Sequence, residues 1–136
     1  MIDLFVVEDD QIDRFIIKRG LEKHHSSVNL KFFYNGHELV KFLEVSKSKH
    51  HPSLILLDIN TPQLSGKEFL ELYAGHPKVQ FIPKIMISTS GNSRDIKECY
   101  KKGACGYFVK PVDNDQFNTF LDGIVNNFNQ METMNI

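Results

Sequence analysis

The sequence predicts a doubly wound α/β domain built on a five-stranded parallel sheet, and three observations predict it. Five short apolar segments alternate with five helical patterns along 136 residues, the order that right-handed strand–helix–strand crossovers produce. Most of the apolar segments are near-continuous runs, as parallel strands covered on both faces require. The second one alternates instead and so belongs at an edge, for which strand order 2-1-3-4-5 is the natural choice.

The first strand is "IDLFVV", residues 2–7, followed by a helical pattern over about 10–24. In that helix Ile12, Phe15 and Ile16 form one apolar stripe, while Ile17 and Leu21 lie well over 90° away at about 100° per residue. One stripe must pack on the sheet; the other is open to a partner, unless the helix is broadly buried. The second strand, "VNLKFFY" (28–34), has Lys31 interrupting Val28, Leu30 and Phe32. A helix over about 36–47 leads to "SLILLD" (53–58), and one over 65–75 leads to "KIMIS" (84–88). The helix over 92–102 stops at Gly103 as C-cap. After "CGYFVK" (105–110) comes the clearest helix, with Phe117, Phe120, Leu121, Ile124, Val125 and Phe128 on one stripe and Asp113 available as N-cap. It ends near residue 129, so the expected organisation is one domain over 1–130, a short tail over 131–136 and no output domain.

Composition narrows the function. Hydrophobic residues make up 41% and charged residues 24%, the balance of an ordinary globular protein. A net charge of −1 gives no electrostatic footprint for nucleic acid or an anionic membrane. No apolar run approaches the roughly 18–20 residues of a membrane span. The chain reaches "DLFVVEDD" without a basic leader, so a cytoplasmic protein is expected. Cys99 and Cys105 match neither a redox pair nor a zinc knuckle and read as reduced thiols. The pairs His24–His25 and His50–His51 lack the spacing that puts two ligands on one helix face.

Polar residues collect just after the strands. The first strand ends in Glu8-Asp9-Asp10, the third in Asp58, the fourth in Ser88-Thr89-Ser90 and the fifth in Lys110-Pro111. In a 2-1-3-4-5 sheet these ends face one crevice, where the winding reverses. Two carboxylates about 5 Å apart repel by roughly 3 kcal/mol at an effective dielectric near 20. A cluster of them calls for a cation or a shared proton. Oxygen-only ligands favour a hard divalent ion, Mg²⁺ best, and Lys110 adds a positive charge for a phosphoryl group. Helix capping is the plainer reading of Glu8, Asp9 and Asp10, but it leaves their convergence on Asp58 unexplained. Asp58 can then carry a phosphoryl group as a mixed anhydride.

With "VVEDD" (6–10), "LLDINTPQLSG" (56–66), "MISTSG" (86–91) and "GYFVKP" (106–111) at this spacing, the chain resembles the receiver domain of two-component response regulators over about residues 2–128. It is most similar to the short chemotaxis-type and phytochrome-associated single-domain members. The resemblance implies a flavodoxin-like fold and a stand-alone regulator that signals through phosphorylation-dependent protein–protein interaction or a phosphorelay and is not an enzyme beyond handling its own phosphate. It implies Asp58 as phosphoacceptor and as a ligand of Mg²⁺ or Mn²⁺. Asp9 would ligate directly, the backbone carbonyl of Asn60 would join, and Glu8 would act through water. Ser88 takes the switch-hydroxyl position, Tyr107 the switch-aromatic position, and Lys110 binds phosphate, its bond to Pro111 being cis.

The implied partners are a sensor histidine kinase or a histidine-containing phosphotransfer domain, with the first helix as one contact. A downstream protein target would use the fourth helix, fifth strand and fifth helix. Glu8 stands where aspartate is commoner and Ser88 where threonine is. Asn60 and Ser90, two residues beyond Asp58 and Ser88, occupy positions that tune acyl-phosphate lifetime; neither is a strong base, so fast self-hydrolysis is not expected. An aspartyl-phosphate phosphatase would carry D-x-D and an acid at position 60, where this chain has Asn60. A flavin module would need a phosphate loop where "EDDQID" stands. A receiver that signals by binding alone stays open at the level of sequence.

Overall fold

Val6 and Val7 are neighbours in the chain, yet they belong to different cores. Alternate residues of a strand point to opposite faces, and here both faces are covered. Leu4, Val6, Leu54, Leu56, Ile85 and Ile87 join one buried cluster; Phe5, Val7, Ile55, Leu57 and Met86 join the other. Near-continuous apolar sequence is the consequence of two-sided burial.

The structure is a computed structural model, and the described residues are 2–22, 28–45, 54–110, 115–120 and 122–123. The elements are β1 (Ile2–Val7), α1 (Gln11–Gly20), β2 (Val28–Phe33), α2 (Gly36–Val45), β3 (Leu54–Asp58), α3 (Gly66–Tyr73), β4 (Lys84–Ser88), α4 (Ser93–Lys101) and β5 (Gly106–Val109). Helical residues 115–120 and 122–123 form the described part of α5. The five strands are parallel in order β2-β1-β3-β4-β5, as the sequence predicts. Edge strand β2 has the mixed burial that its alternating sequence foretells: Asn29 and Lys31 are exposed between buried Val28 and Phe33.

Helices α2, α3 and α4 cover one face through Leu39, Leu43, Phe69, Leu70 and Cys99. On the other face, Ile17 of α1 and Phe117 of α5 pack against Leu4, Val6, Leu56 and Ile87. This decides between the two stripes of α1. Ile17 and Leu21 are buried, whereas Ile12, Phe15 and Ile16 stand 71%, 60% and 43% exposed. None of the described helices is long and apolar enough to cross a membrane. Cys99 is a buried free thiol whose pKa burial pushes up, and Cys105 is exposed and free.

Helix ends follow capping chemistry. Asp10 caps α1, its Oδ1 accepting from the amides of Ile12 (2.8 Å) and Asp13 (3.0 Å). That gives Asp10 a structural role and separates it from the acids beside it. Helix α3 opens with a capping box between Ser65 and Glu68. Helix α4 starts at Asn92 and has Lys102 as C-cap, with Gly103 one residue further at φ +112°, where a side chain would be strained. The expected cap Asp113, the residues Leu121, Ile124, Val125 and Phe128, both histidine pairs and the tail over 131–136 lie outside the described residues.

Candidate functional site

Register brings the ends of β1, β3 and β5 to one edge. Val7 pairs with Leu57 and Ser88 with Val109, so the residues that follow them meet. The Glu8 amide donates to the Phe33 carbonyl (3.0 Å), extending the β1–β2 ladder one residue and fixing where the Glu8 side chain begins. The Lys110 amide donates to the Ser88 carbonyl (2.7 Å) and anchors the end of β5 to β4.

From there the Lys110 ammonium reaches three carboxylates. Its Nζ lies 3.0 Å from Glu8 Oε2, 2.8 Å from Asp13 Oδ2 and 2.9 Å from Asp58 Oδ2. An ammonium has three N–H donors, and here each has an acceptor. Glu8 is fully buried and Asp58 nearly so; Asp13 is half-buried. The second oxygens are also used, Glu8 Oε1 accepting from the Asp10 amide (3.1 Å) and Asp58 Oδ1 from the Asn60 amide (3.0 Å). These groups line a cavity of about 230 Å³ together with Asp9, Asp10, Asn60 and Thr89.

Of the residues singled out from sequence, Glu8, Asp9, Asp58, Asn60 and Lys110 therefore share one cavity. The tight group, with carboxylate oxygens within 4.8 Å of one another, is Glu8, Asp13 and Asp58 among the described residues. Asp9 lines the cavity beside that group. Asp13 is the residue sequence reasoning missed. Its signal was its place: three residues after the cap of a helix that starts at the sheet edge, where side chains tilt back toward the helix start.

Ser88 is buried, and its Oγ accepts from the Ser90 amide (3.0 Å). Ser90 is a knot, since its carbonyl accepts from the Tyr107 hydroxyl (2.7 Å) and its own hydroxyl donates to Asp95 on α4 (2.6 Å). Tyr107 is half-buried and packs on the core shared with α2, α3 and α4. The peptide bond from Lys110 to Pro111 lies outside the described residues.

Burial, reinforced by a hydrogen bond to Asp58 and opposed by Lys110, pushes the Glu8 pKa from its ordinary 4.5 up to about 7. Burial works against the Lys110 ammonium too, yet its bonds to Asp13, Asp58 and Glu8 outweigh that and hold its pKa above the usual lysine value. With Glu8 ionised, three carboxylates around one ammonium leave an excess of two negative charges. A hard divalent cation fits that all-oxygen donor set.

The sign of the pH effect follows. Glu8 binds its proton more tightly folded than unfolded, so its contribution to stability is full below pH 4.5 and lost as pH rises through about 7. The metal-free protein is expected to lose thermal stability between pH 5 and 8, Glu8→Gln to flatten that fall, and Mg²⁺ to reverse it at pH 8. Thermal unfolding with and without chelator measures this, and a Glu8→Gln profile parallel to wild type would reassign the effect.

Comparison with known proteins adds the lineage. The model of the response regulator receiver domain matches residues 4–122. The chain is 27% identical over 124 residues to Response regulator Rcp1 of Synechocystis sp., covering 89% of this chain and 84% of that protein. Among solved structures it is similar to the phosphorylated cyanobacterial phytochrome response regulator RcpA, with TM-score 0.75, 29% identity, and 90% and 89% of the two chains covered. A two-component response regulator from Legionella pneumophila superposes with TM-score 0.79 at 26% identity, over 93% of this chain and 99% of that one.

Proposed function

Since this chain belongs to the response regulator receiver domain family, we propose that it signals by accepting a phosphoryl group on Asp58 from a phosphohistidine. The observation that carries this reading is the Lys110 ammonium bonded at once to Glu8, Asp13 and Asp58 at the carboxyl edge of the sheet.

An Asp58 oxygen attacks phosphorus in line with the departing imidazole nitrogen. The P–O bond forms as the P–N bond breaks, and the imidazole keeps the electron pair and takes up a proton. Lys110 holds phosphoryl oxygens at the position it now gives to carboxylates, and the Asn60 amide keeps the other Asp58 oxygen in place. Glu8, Asp9, Asp58 and the Asn60 carbonyl are the groups that would hold Mg²⁺ or Mn²⁺, Glu8 through water, and the half-buried Asp13 carboxylate extends this set. The metal ion supplies neutralisation of the charge that builds on the transferring group. No other turnover is assigned to the protein, which acts in the cytoplasm beside a histidine kinase or phosphotransfer domain.

Ser88 is the hydroxyl that moves. Turning toward a phosphoryl group, it gives up the Ser90 amide, and Ser90 is what Tyr107 and Asp95 hold. A local charge thus biases an element that reaches α4 and β5. The Asn60 amide is not a base and the Ser90 hydroxyl is engaged with Asp95, so neither activates a water and the phosphoprotein is expected to persist.

Incubation with a small-molecule phosphodonor and Mg²⁺ tests the core of this. Intact-protein mass is expected to show one added phosphoryl group on wild type and none on Asp58→Asn. Phosphate retained by the variant would move the acceptor elsewhere.

A further inference from the structure

Lys84 is a buried cation without a counter-charge. It is the first residue of β4 and 5% exposed, and among the described residues its ammonium has no hydrogen bond or ion pair. Lys67, Lys102 and Lys110, by contrast, each hold two or three carboxylates. Across the ladder from Lys84 stands Cys105, whose amide donates to the Lys84 carbonyl at 2.8 Å, one step before the Ile85–Gly106 pair. Alternation puts both side chains on one face, Lys84 with Met86 and Cys105 with Tyr107, the face that α2, α3 and α4 cover. Paired strands run about 4.8 Å apart, so the thiol and the amine start side by side. Cys105 is exposed and its thiol is free. Burial holds the Lys84 pKa below the ordinary lysine value, and the Cys105 thiolate lies near enough to oppose that in part.

An exposed nucleophile beside a buried, unpaired amine is a relay for a small electrophile. We propose that Cys105 takes a short acyl group from a soluble thioester and hands it to Lys84, which makes Lys84 an acylation site. In the first step the Cys105 thiolate attacks the acyl carbonyl. A new C–S bond forms, the donor's C–S bond breaks, and the departing thiolate takes up the proton that Cys105 gave to solvent. In the second step the Lys84 amine, having lost one proton to solvent, attacks the Cys105 thioester. The C–N bond forms, the C–S bond to Cys105 breaks, and the second proton leaving nitrogen returns to sulfur. Nothing is oxidised or reduced. Burial sets the order of events: a donor in solution meets the exposed thiol, not the enclosed amine. Burial also supplies the driving force, since a neutral amide replaces an ammonium whose desolvation no carboxylate offsets. Four residue steps of β4, about 13 Å, separate Lys84 from Ser88. The site therefore stands at the opposite edge of the sheet from Asp58 and does not rest on the phosphoryl reading.

The probe is S-acetyl-N-acetylcysteamine, a small acetyl thioester, incubated with the full folded chain without phosphodonor. Peptide mass spectrometry after hydroxylamine treatment, which strips thioesters and leaves amides, reads the acetyl group on each lysine. Lys84 is expected to be acetylated at least tenfold faster than the exposed Lys97 and Lys101. Cys105→Ser, a change at an exposed position, is expected to slow Lys84 at least tenfold and leave Lys97 and Lys101 as they were. Lys84→Met keeps the side chain's length without its charge, and is expected to retain a hydroxylamine-labile acetyl group on Cys105. In denaturing urea the preference of wild type for Lys84 is expected to vanish, since pairing of β4 with β5 creates it. Equal acetylation of Lys84 in Cys105→Ser, a Lys84 rate no higher than that of Lys97 and Lys101, or a preference that survives urea overturns the proposal.

Discussion

Replacing Lys110 with alanine is expected to lower the stability of the metal-free protein by about 3 kcal/mol at pH 8, a fall of roughly 10 °C in Tm. The substitution leaves Glu8 and Asp58 buried and charged with no cation between them. Asp13 is one-third exposed, so solvent screens its share and the figure sits at the low end for a broken buried pair. Two conditions should restore the variant selectively. Below pH 7 Glu8 takes up a proton and relieves the repulsion, and millimolar Mg²⁺ offers positive charge where the ammonium was. The variant should also take up phosphate far more slowly, since Mg²⁺ does not reproduce the directed N–H donors. Scanning calorimetry at pH 5.5 and 8, with chelator or Mg²⁺, reads the first effect. An unchanged Tm at pH 8 would mean that the carboxylates are already neutralised by something other than Lys110.

Gly66→Ala is expected to cost about 2–3 kcal/mol through overpacking and to slow phosphate uptake by at least tenfold. Gly66 starts α3, where alanine is by itself the better helix former by up to about 1 kcal/mol. Packing reverses that preference. A Cβ at position 66 lies 2.8 Å from Met86 Cε, 2.9 Å from the Asp58 carbonyl oxygen and 2.9 Å from Ile59 Cα. The methionine end can rotate away; the two backbone atoms cannot. The Gly66 amide also donates to the Ile59 carbonyl at 2.7 Å, so the loop after β3 is closed tightly on itself. Accommodating the methyl therefore displaces the backbone that carries Asp58, and small misplacements of reacting groups are costly. Urea unfolding and the rate of phosphate uptake measure the two effects. A variant as stable and as fast as wild type would show that the strand end yields without moving the carboxylate.

Much of the fold was legible because its signals are local. The runs "LILLD" and "KIMIS" declare burial on both faces, and Lys31 marks β2 as an edge. Asp58 and Lys110 were legible for a different reason, since each ends an apolar run where a charge needs a partner. Other assignments were not legible. Asp10 and Asp13 look alike in "EDDQID", but the first caps α1 and the second meets Lys110, 97 residues away in the chain. Nor does periodicity say which stripe of α1 turns inward, since Ile12-Phe15-Ile16 and Ile17-Leu21 are both apolar.

By itself, the sequence determined the α/β alternation, the strand order and the acid-rich sheet edge ending in Asp58 and Lys110. Those features are written in residue types and short periods. Tertiary structure alone decided that Glu8, Asp13 and Asp58 share one ammonium, and that Ser90 ties Ser88 to Tyr107 and Asp95. These are contacts between distant segments, chosen by the register of the closed sheet and by which charges burial forces to pair.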